Sequence, residues 1–92
     1  MHRIHYIVKG YVQGVGFRRR AARTAAALSL TGWVRNLPDG RVELEVQGED
    51  ENIQKLLPSI EQNSWGIDIT DIKSDEIPVV PEEYGFDIKY YR

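Results

Sequence analysis

Three consecutive arginines follow a glycine-rich turn near the start of the chain, in the stretch VQGVGFRRR at residues 12–20. Gly14 and Gly16 allow the backbone to curl until its N–H groups converge, as they do in anion-binding nests. Arg18 can offer a bidentate fork to two oxygens of a phosphate or a carboxylate. The stretch therefore indicates an anion site. A tight turn whose arginines only meet water is the simpler alternative, and spacing alone does not decide between the two.

These arginines stand where a helix is expected to begin. From Phe17 onward the pattern is helical and alanine-rich, and it should end near Ser29. The shared face of this helix comprises Phe17, Ala21, Ala25 and Leu28. The first N–H groups of a helix are unpaired and its dipole is positive there, so cations at that end cost from a few tenths to about 1 kcal/mol. A bound anion would reverse that penalty. The usual nucleotide loops do not fit, because GxxxxGK[ST] is absent and position 19 is Arg where GxGxxG needs its third glycine.

Alternating apolar residues predict strands on both sides of this helix. Residues 3–9 alternate, and their apolar face carries Ile4, Tyr6 and Val8. Residues 33–44, WVRNLPDGRVEL, are typical of a hairpin around the turn Pro38-Asp39-Gly40. In its first arm Val34 and Asn36 share one face, and Trp33 and Arg35 share the other.

A second helix and two further segments follow the hairpin. Acidic residues at 49–51 suit a helix N-terminus, and the apolar stripe behind them comprises Ile53, Leu56, Leu57 and Ile60. Pro58 lies inside that stripe and should kink or shorten the helix. A change of parity in IDITDIK predicts a loop or bulge before a strand that begins near Thr70. Residues 76–85 contain two prolines and indicate a loop, and GFDIKYY closes the chain as an edge segment.

The order strand, helix, strand, strand, helix, strand predicts an α+β protein with the ferredoxin-like split βαβ sandwich, βαββαβ. An antiparallel sheet should carry both helices on one face, with an extra C-terminal strand or edge segment. The opposite face should present His5, Ile7, Lys9, Trp33, Arg35, Glu43 and Glu45. A chain of 92 residues fits one domain, residues 1–92.

Composition excludes several classes of protein. The chain has no cysteine, which rules out disulfides, thiolate nucleophiles and cysteine-ligated metals. No apolar run approaches membrane-spanning length and no signal peptide is evident, so a cytoplasmic protein is expected. Charge is divided unevenly: residues 1–41 hold eight Arg or Lys and one acid, whereas residues 42–92 hold four Arg or Lys and thirteen acids. Either the two halves neutralise each other across the fold, or the first half builds an anion site.

Two segments together resemble the acylphosphatase family: GYVQGVGFR at residues 10–18 and TGWVRNLPDGRVE at residues 31–43. The closing GFDI is similar as well. The resemblance implies hydrolysis of an acyl phosphate to a carboxylate and inorganic phosphate, without a metal or a cofactor. It also implies that Arg18 binds the phosphate and that Asn36 positions the attacking water. The phosphate would be cradled by the backbone amides of Gln13, Gly14, Val15, Gly16 and Phe17.

The residues support this chemistry in one further way. We find no candidate general acid near the loop, because His2 and His5 lie toward the opposite end of the first strand. A poor alkoxide leaving group would need such an acid, whereas a carboxylate, whose parent acid has a pKa of about 4, does not. A site of donors with one amide that holds water therefore suits an acyl phosphate better than a phosphate ester.

Some positions depart from the family, and other functions stay open. Arg19 and Arg20 stand where many relatives carry a bulky apolar residue, and we interpret them as solvated charges that steer anions. Ser29 stands where a glycine often ends the first helix. The alternatives are an RNA-binding module, a regulatory ligand-binding module of the same fold, or a carbamoyl-phosphate-handling module of a larger maturation protein. We expect a monomer that acts on a small molecule and binds neither nucleic acid nor membrane.

Overall fold

The computed structural model describes residues 1–62 and 65–90 as five strands and two helices. The strands are β1 (His2–Tyr11), β2 (Thr31–Asn36), β3 (Val42–Gly48), β4 (Asp68–Ile77) and β5 (Phe86–Lys89). The helices are α1 (Phe17–Ala27) and α2 (Asp50–Gln62). This order confirms the predicted α+β fold. The expectations at residues 63–64 and 91–92 lie outside the described residues.

The sheet has the strand order β4-β1-β3-β2-β5. The pairs β1–β3, β1–β4 and β2–β3 are antiparallel, as predicted. Strand β5 adds a parallel partner to β2, so the sheet as a whole is mixed. The reason is the connection after β4, which carries the chain from one edge of the sheet to the other before β5 begins. The end of β5 therefore lies at the same end of the sheet as the end of β2.

The core lies between the helix-bearing face of the sheet and the two helices. Val8, Val34 and Leu44, from three different strands, are fully buried there. Helix α1 packs Phe17, Ala21 and Ala25 against them, and α2 packs Ile53, Leu56, Leu57 and Ile60. These are the faces that the periodicity of the sequence predicted. In the described part of the chain, neither helix is long and apolar enough to cross a membrane.

Two local expectations need adjustment. Of the prediction that Pro58 kinks or shortens the second helix, the shortening is wrong, because α2 continues through it to Gln62. Pro58 is exposed, and the buried Leu57 and Ile60 hold this part of the helix on the sheet, which outweighs the lost backbone hydrogen bond. The predicted bulge is present, but the predicted strand start near Thr70 is wrong. Strand β4 begins at Asp68, and the bulge lies inside it, since Lys9 pairs with Asp71 but Gly10 pairs with Ile69.

The open face of the sheet is covered by ion pairs, which partly neutralise the basic first half of the chain against the acidic second half. Glu43 accepts hydrogen bonds from His5 and Arg35, both at 2.6 Å. Arg3 is 2% exposed and donates to Glu45 at 2.8 Å and to Glu83 at 2.7 and 3.1 Å. The contact with Glu83 ties the connection between β4 and β5 to β1.

We predict that this tie makes stability depend on pH. Burial by itself would raise the pKa of Glu83, but hydrogen bonds from Arg3 and Thr31 and the nearby positive charges lower it overall. The stabilisation is fully present above the ordinary glutamate value of 4.5 and is lost as the pH falls through the lower folded-state pKa. Urea unfolding of Glu83→Gln should therefore show a smaller loss of stability between pH 7 and pH 3 than the wild type. An exposed neighbour, Glu82→Gln, serves as the control, and an unchanged pH dependence in Glu83→Gln would contradict the prediction.

Helix α1 ends with a left-handed residue that is not glycine. Ser29 has φ of 56° and stands where many relatives carry a glycine. Its N–H donates to Ala26, and the N–H of Leu30 donates to Ala25, the two hydrogen bonds of a Schellman motif. The backbone thus adopts a conformation that a side chain disfavours.

Ser29→Gly should therefore raise the free energy of unfolding by about 1 kcal/mol. The matched control is Ala27→Gly, which places glycine at the last residue of the same helix and should lower stability by up to about 1 kcal/mol. Urea unfolding measures both changes. A lower midpoint for Ser29→Gly would show that the serine contributes more than its backbone strain costs.

Candidate active site

The loop between β1 and α1 is a short turn between two buried anchors. Val12 and Phe17 are each 1% exposed, so the four residues between them must join two buried positions. Gly14 and Gly16 adopt left-handed backbone with φ of 73° and 79°. A Cβ at either position would meet no atom within 4 Å, so backbone conformation, and not space, requires glycine here.

This turn leaves its backbone donors unpaired. Among the described residues, no N–H from Gln13 to Phe17 donates to another backbone carbonyl. The loop opens directly into the N-terminus of α1, whose N-cap, Gly16, has no side-chain cap, and whose first turn carries no acidic residue. Unpaired N–H groups and the positive end of a helix dipole together favour an anion at this place.

A pocket of about 260 Å³ opens above the loop. Its lining comes from the loop, the start of α1, the end of β2 and the region of β5. The lining residues are Val12, Gly14, Gly16, Phe17, Arg18, Arg19, Asn36, Ile88 and Tyr90. No carboxylate is among them, so within the described part of the chain the pocket offers only neutral and cationic groups. An anion is the complementary ligand.

Asn36 contributes the neutral polar group of the pocket. It is the last residue of β2, pairs with Val42 of β3 and shares the helix-bearing face with Val34. Its Oδ1 is buried and has no hydrogen-bond partner among the described residues. An unpaired buried acceptor costs about 1–3 kcal/mol, so this oxygen is suited to accept a hydrogen bond from a ligand or a water in the pocket.

The side chain of Gln13 joins the loop to the hairpin that follows Asn36. Its Nε2 donates to the carbonyl oxygens of Leu37 and Arg41, both at 2.8 Å. Those two residues also close the hairpin through their own backbone hydrogen bond at 2.8 Å. The tie fixes the distance between the loop and Asn36. The sequence predicted Gln13 only through its backbone, and a glutamine amide within a tight turn carries no signal of this contact.

The structure separates the three arginines. Arg18 lines the pocket, and its guanidinium carbon lies 5.0 Å from the centroid of the Tyr90 ring. Arg19 also lines the pocket and is exposed, whereas Arg20 lies outside it. Arg19 and Arg20 are therefore not an equivalent pair, because only Arg19 lines the pocket.

Most of the predicted site residues are brought together. Arg18, Asn36, Gly14, Gly16 and Phe17 all line the pocket. Gln13 and Val15 are not part of the lining, although both belong to the loop that forms its floor. Sequence reasoning missed Ile88 and Tyr90 as site residues. The sequence showed that Ile88 and Tyr90 share one face of GFDIKYY, but it did not show which strand this segment pairs with.

A two-helix ferredoxin-like fold with a glycine turn, a helix N-terminus and a pocket without carboxylates defines a small α+β protein whose pocket is suited to an anion. The family model for acylphosphatase matches residues 4–88. An acylphosphatase of Clostridium beijerinckii is 44% identical over 90 residues, which cover 98% of this chain and 100% of the relative. An acylphosphatase of Chlorobaculum tepidum is 49% identical over 77 residues, 84% of each chain. The crystal structure of acylphosphatase from Bacillus subtilis matches with a TM-score of 0.89 at 36% identity, over 98% of this chain and 100% of that one.

The chain belongs to the acylphosphatase family. The family match covers both segments on which the sequence resemblance rests, and the structural match covers 98% of the chain.

We predict that Gly16→Ala weakens phosphate binding more than a comparable alanine substitution at a left-handed glycine outside the loop. An alanine in left-handed backbone costs about 1–2 kcal/mol, and relaxation of the turn would move its N–H groups. Affinity for inorganic phosphate, followed by NMR titration, should fall roughly two- to tenfold. Gly40→Ala is the matched control, since Gly40 is also left-handed with open space around it but lies in the hairpin turn. Equal phosphate affinities in the two variants would contradict the prediction.

Proposed function

We propose that the protein is an acylphosphatase that hydrolyses the carboxyl–phosphate bond of acyl phosphates to a carboxylate and inorganic phosphate. The observation that carries the proposal is the buried Oδ1 of Asn36, which has no hydrogen-bond partner among the described residues and lies in the same pocket as Arg18 and the glycine loop. These groups supply what the reaction needs: donors for the phosphoryl oxygens and an acceptor for the attacking water.

The phosphate would bind in the loop. The backbone N–H groups from Gln13 to Phe17 would receive its oxygens, and Arg18 would add a charge-assisted fork. Each such charge-assisted bond contributes roughly 1.5–3 kcal/mol. Because the loop is held between buried anchors, these donors need little rearrangement as charge develops on the phosphoryl group.

Asn36 would hold the water. Its buried oxygen would accept a hydrogen bond from the water, which would turn a water lone pair toward phosphorus. An amide is too weak a base to remove that proton, so its contribution is orientation of the nucleophile. The carboxylate departs without protonation because its parent acid is already ionised at neutral pH. The proposal therefore needs no general acid, and none of the pocket-lining residues is an Asp, Glu or His.

The open sheet face argues against the RNA-binding alternative. RNA-recognition modules of this topology stack bases on exposed aromatic residues of the sheet. Here Glu43 and Glu45 occupy the third strand on that face and pair with cations. The aromatic Trp33 is itself contacted by Lys89 at 4.6 Å and Arg35 at 5.4 Å. The proposed partner is therefore a small-molecule acyl phosphate, and a monomer in the cytoplasm stays a prediction of the sequence.

Hydrolysis of benzoyl phosphate in the presence of a chelator tests the proposal. Arg18→Ala should lower kcat/KM roughly 100-fold or more and weaken inhibition by phosphate, since the fork is lost. Asn36→Ala should lower kcat to a similar degree while phosphate inhibition changes little, because the water and not the phosphate loses its partner. Wild-type protein that leaves benzoyl phosphate intact would refute the enzyme assignment.

Neighbouring charges provide the controls for Arg18. Arg18→Lys keeps the charge without the planar fork and should recover only part of the activity. Arg19→Ala and Arg20→Ala should reduce the rate a fewfold at most, with Arg19→Ala the larger, and both effects should fade as ionic strength rises. A collapse of activity with either one would contradict their assignment as steering charges.

A further inference from the structure

We propose that Tyr90 is a positioning residue for Arg18 and holds its guanidinium beside the glycine loop with the face of the aromatic ring. The inference rests on the proposed function, because it assigns a further residue to the same phosphate site. The Arg18 guanidinium carbon is 5.0 Å from the centroid of the Tyr90 ring, within the roughly 6 Å range of a cation–π contact. Both residues line the same pocket.

Arg18 differs from the arginines of the open sheet face in how its charge is held. Arg3, Arg35 and Arg41 each pair with a carboxylate at distances from 2.6 to 2.8 Å. In the part of the chain that the structure describes, no carboxylate forms such a pair with Arg18, and its guanidinium lies over the ring of Tyr90. The long arginine side chain would otherwise sample several rotamers in the open pocket.

An aromatic ring restrains the Arg18 guanidinium better than a carboxylate would. A carboxylate would neutralise the charge of Arg18 and occupy its fork, so that phosphate would have to displace it. An aromatic face attracts the cation through its quadrupole and leaves the N–H donors available. The guanidinium is thus restrained without being neutralised, which is what a phosphate-binding group requires before its ligand arrives.

The parallel fifth strand brings Tyr90 to this position. Val34 pairs with Ile88 and Arg35 with Lys89, so Tyr90 follows β5 at the end of the sheet where Asn36 ends β2. Tyr90 is 71% exposed, and burial in the core therefore does not explain its place over Arg18. An antiparallel fifth strand would have directed the residues after Lys89 away from the pocket.

A substitution series separates the ring from mere bulk. Tyr90→Leu keeps an apolar side chain without an aromatic face, and it should weaken binding of inorganic phosphate roughly two- to fivefold. Tyr90→Phe should retain the affinity and Tyr90→Trp should equal or improve it, since both keep the ring. Phosphate affinity is measured by NMR titration, independently of hydrolysis. The exposed Tyr84 lies outside the pocket, so Tyr84→Leu is the matched control and should change nothing.

A double-mutant cycle decides whether Tyr90 acts through Arg18. In an Arg18→Ala background, Tyr90→Leu should cause no further loss of phosphate affinity. An equal loss in that background would overturn the proposal, because Tyr90 would then act on the ligand directly. Wild-type affinity in Tyr90→Leu alone would overturn it as well. If benzoyl phosphate is not hydrolysed but phosphate binding still depends on the ring through Arg18, the enzyme assignment fails while the positioning role stands.

Discussion

The site depends on one constraint of the backbone: the chain must pass from buried Val12 to buried Phe17 through a turn of four residues. Gly14 and Gly16 meet that constraint with left-handed backbone, and among the described residues the N–H groups of the turn donate to no backbone carbonyl. The same turn delivers the chain into α1, so these donors and the positive end of the helix face one pocket. Cations at this end disfavour the isolated helix, and a bound anion offsets that cost.

The remaining parts of the fold hold other groups against this turn. Gln13 joins the loop to the hairpin and so sets the position of Asn36. Arg3 and Glu83 anchor the connection that carries β5 across the sheet, and β5 brings Tyr90 over Arg18. Contacts on opposite faces of the sheet thus determine the geometry of a single pocket. The uneven division of charge along the chain contributes to the same site. Glu43 and Glu45 pair with cations on the open face, while the pocket lining holds Arg18 and Arg19 and no carboxylate.

Much of this architecture was predictable from local pattern. Strand parity identified the buried faces of β1, β2 and β3, and the stripe from Ile53 to Ile60 identified α2, because each depends only on residues close in sequence. Pro58 misled because its local penalty is smaller than the packing of the residues around it. Arg18 and Asn36 were predicted from two motifs, and the pocket contains both. Their roles in catalysis stay predictions that activity measurements will decide.

The sequence by itself determined the element order and the glycine turn. Those properties follow from side-chain periodicity and from backbone preferences of single residues. Only the tertiary structure decided that β5 runs parallel to β2, that Gln13 reaches the hairpin, and that Tyr90 lies over Arg18. Each of these contacts joins residues far apart in the chain. Their pairing depends on the direction in which the chain crosses the sheet, which no short stretch of sequence encodes.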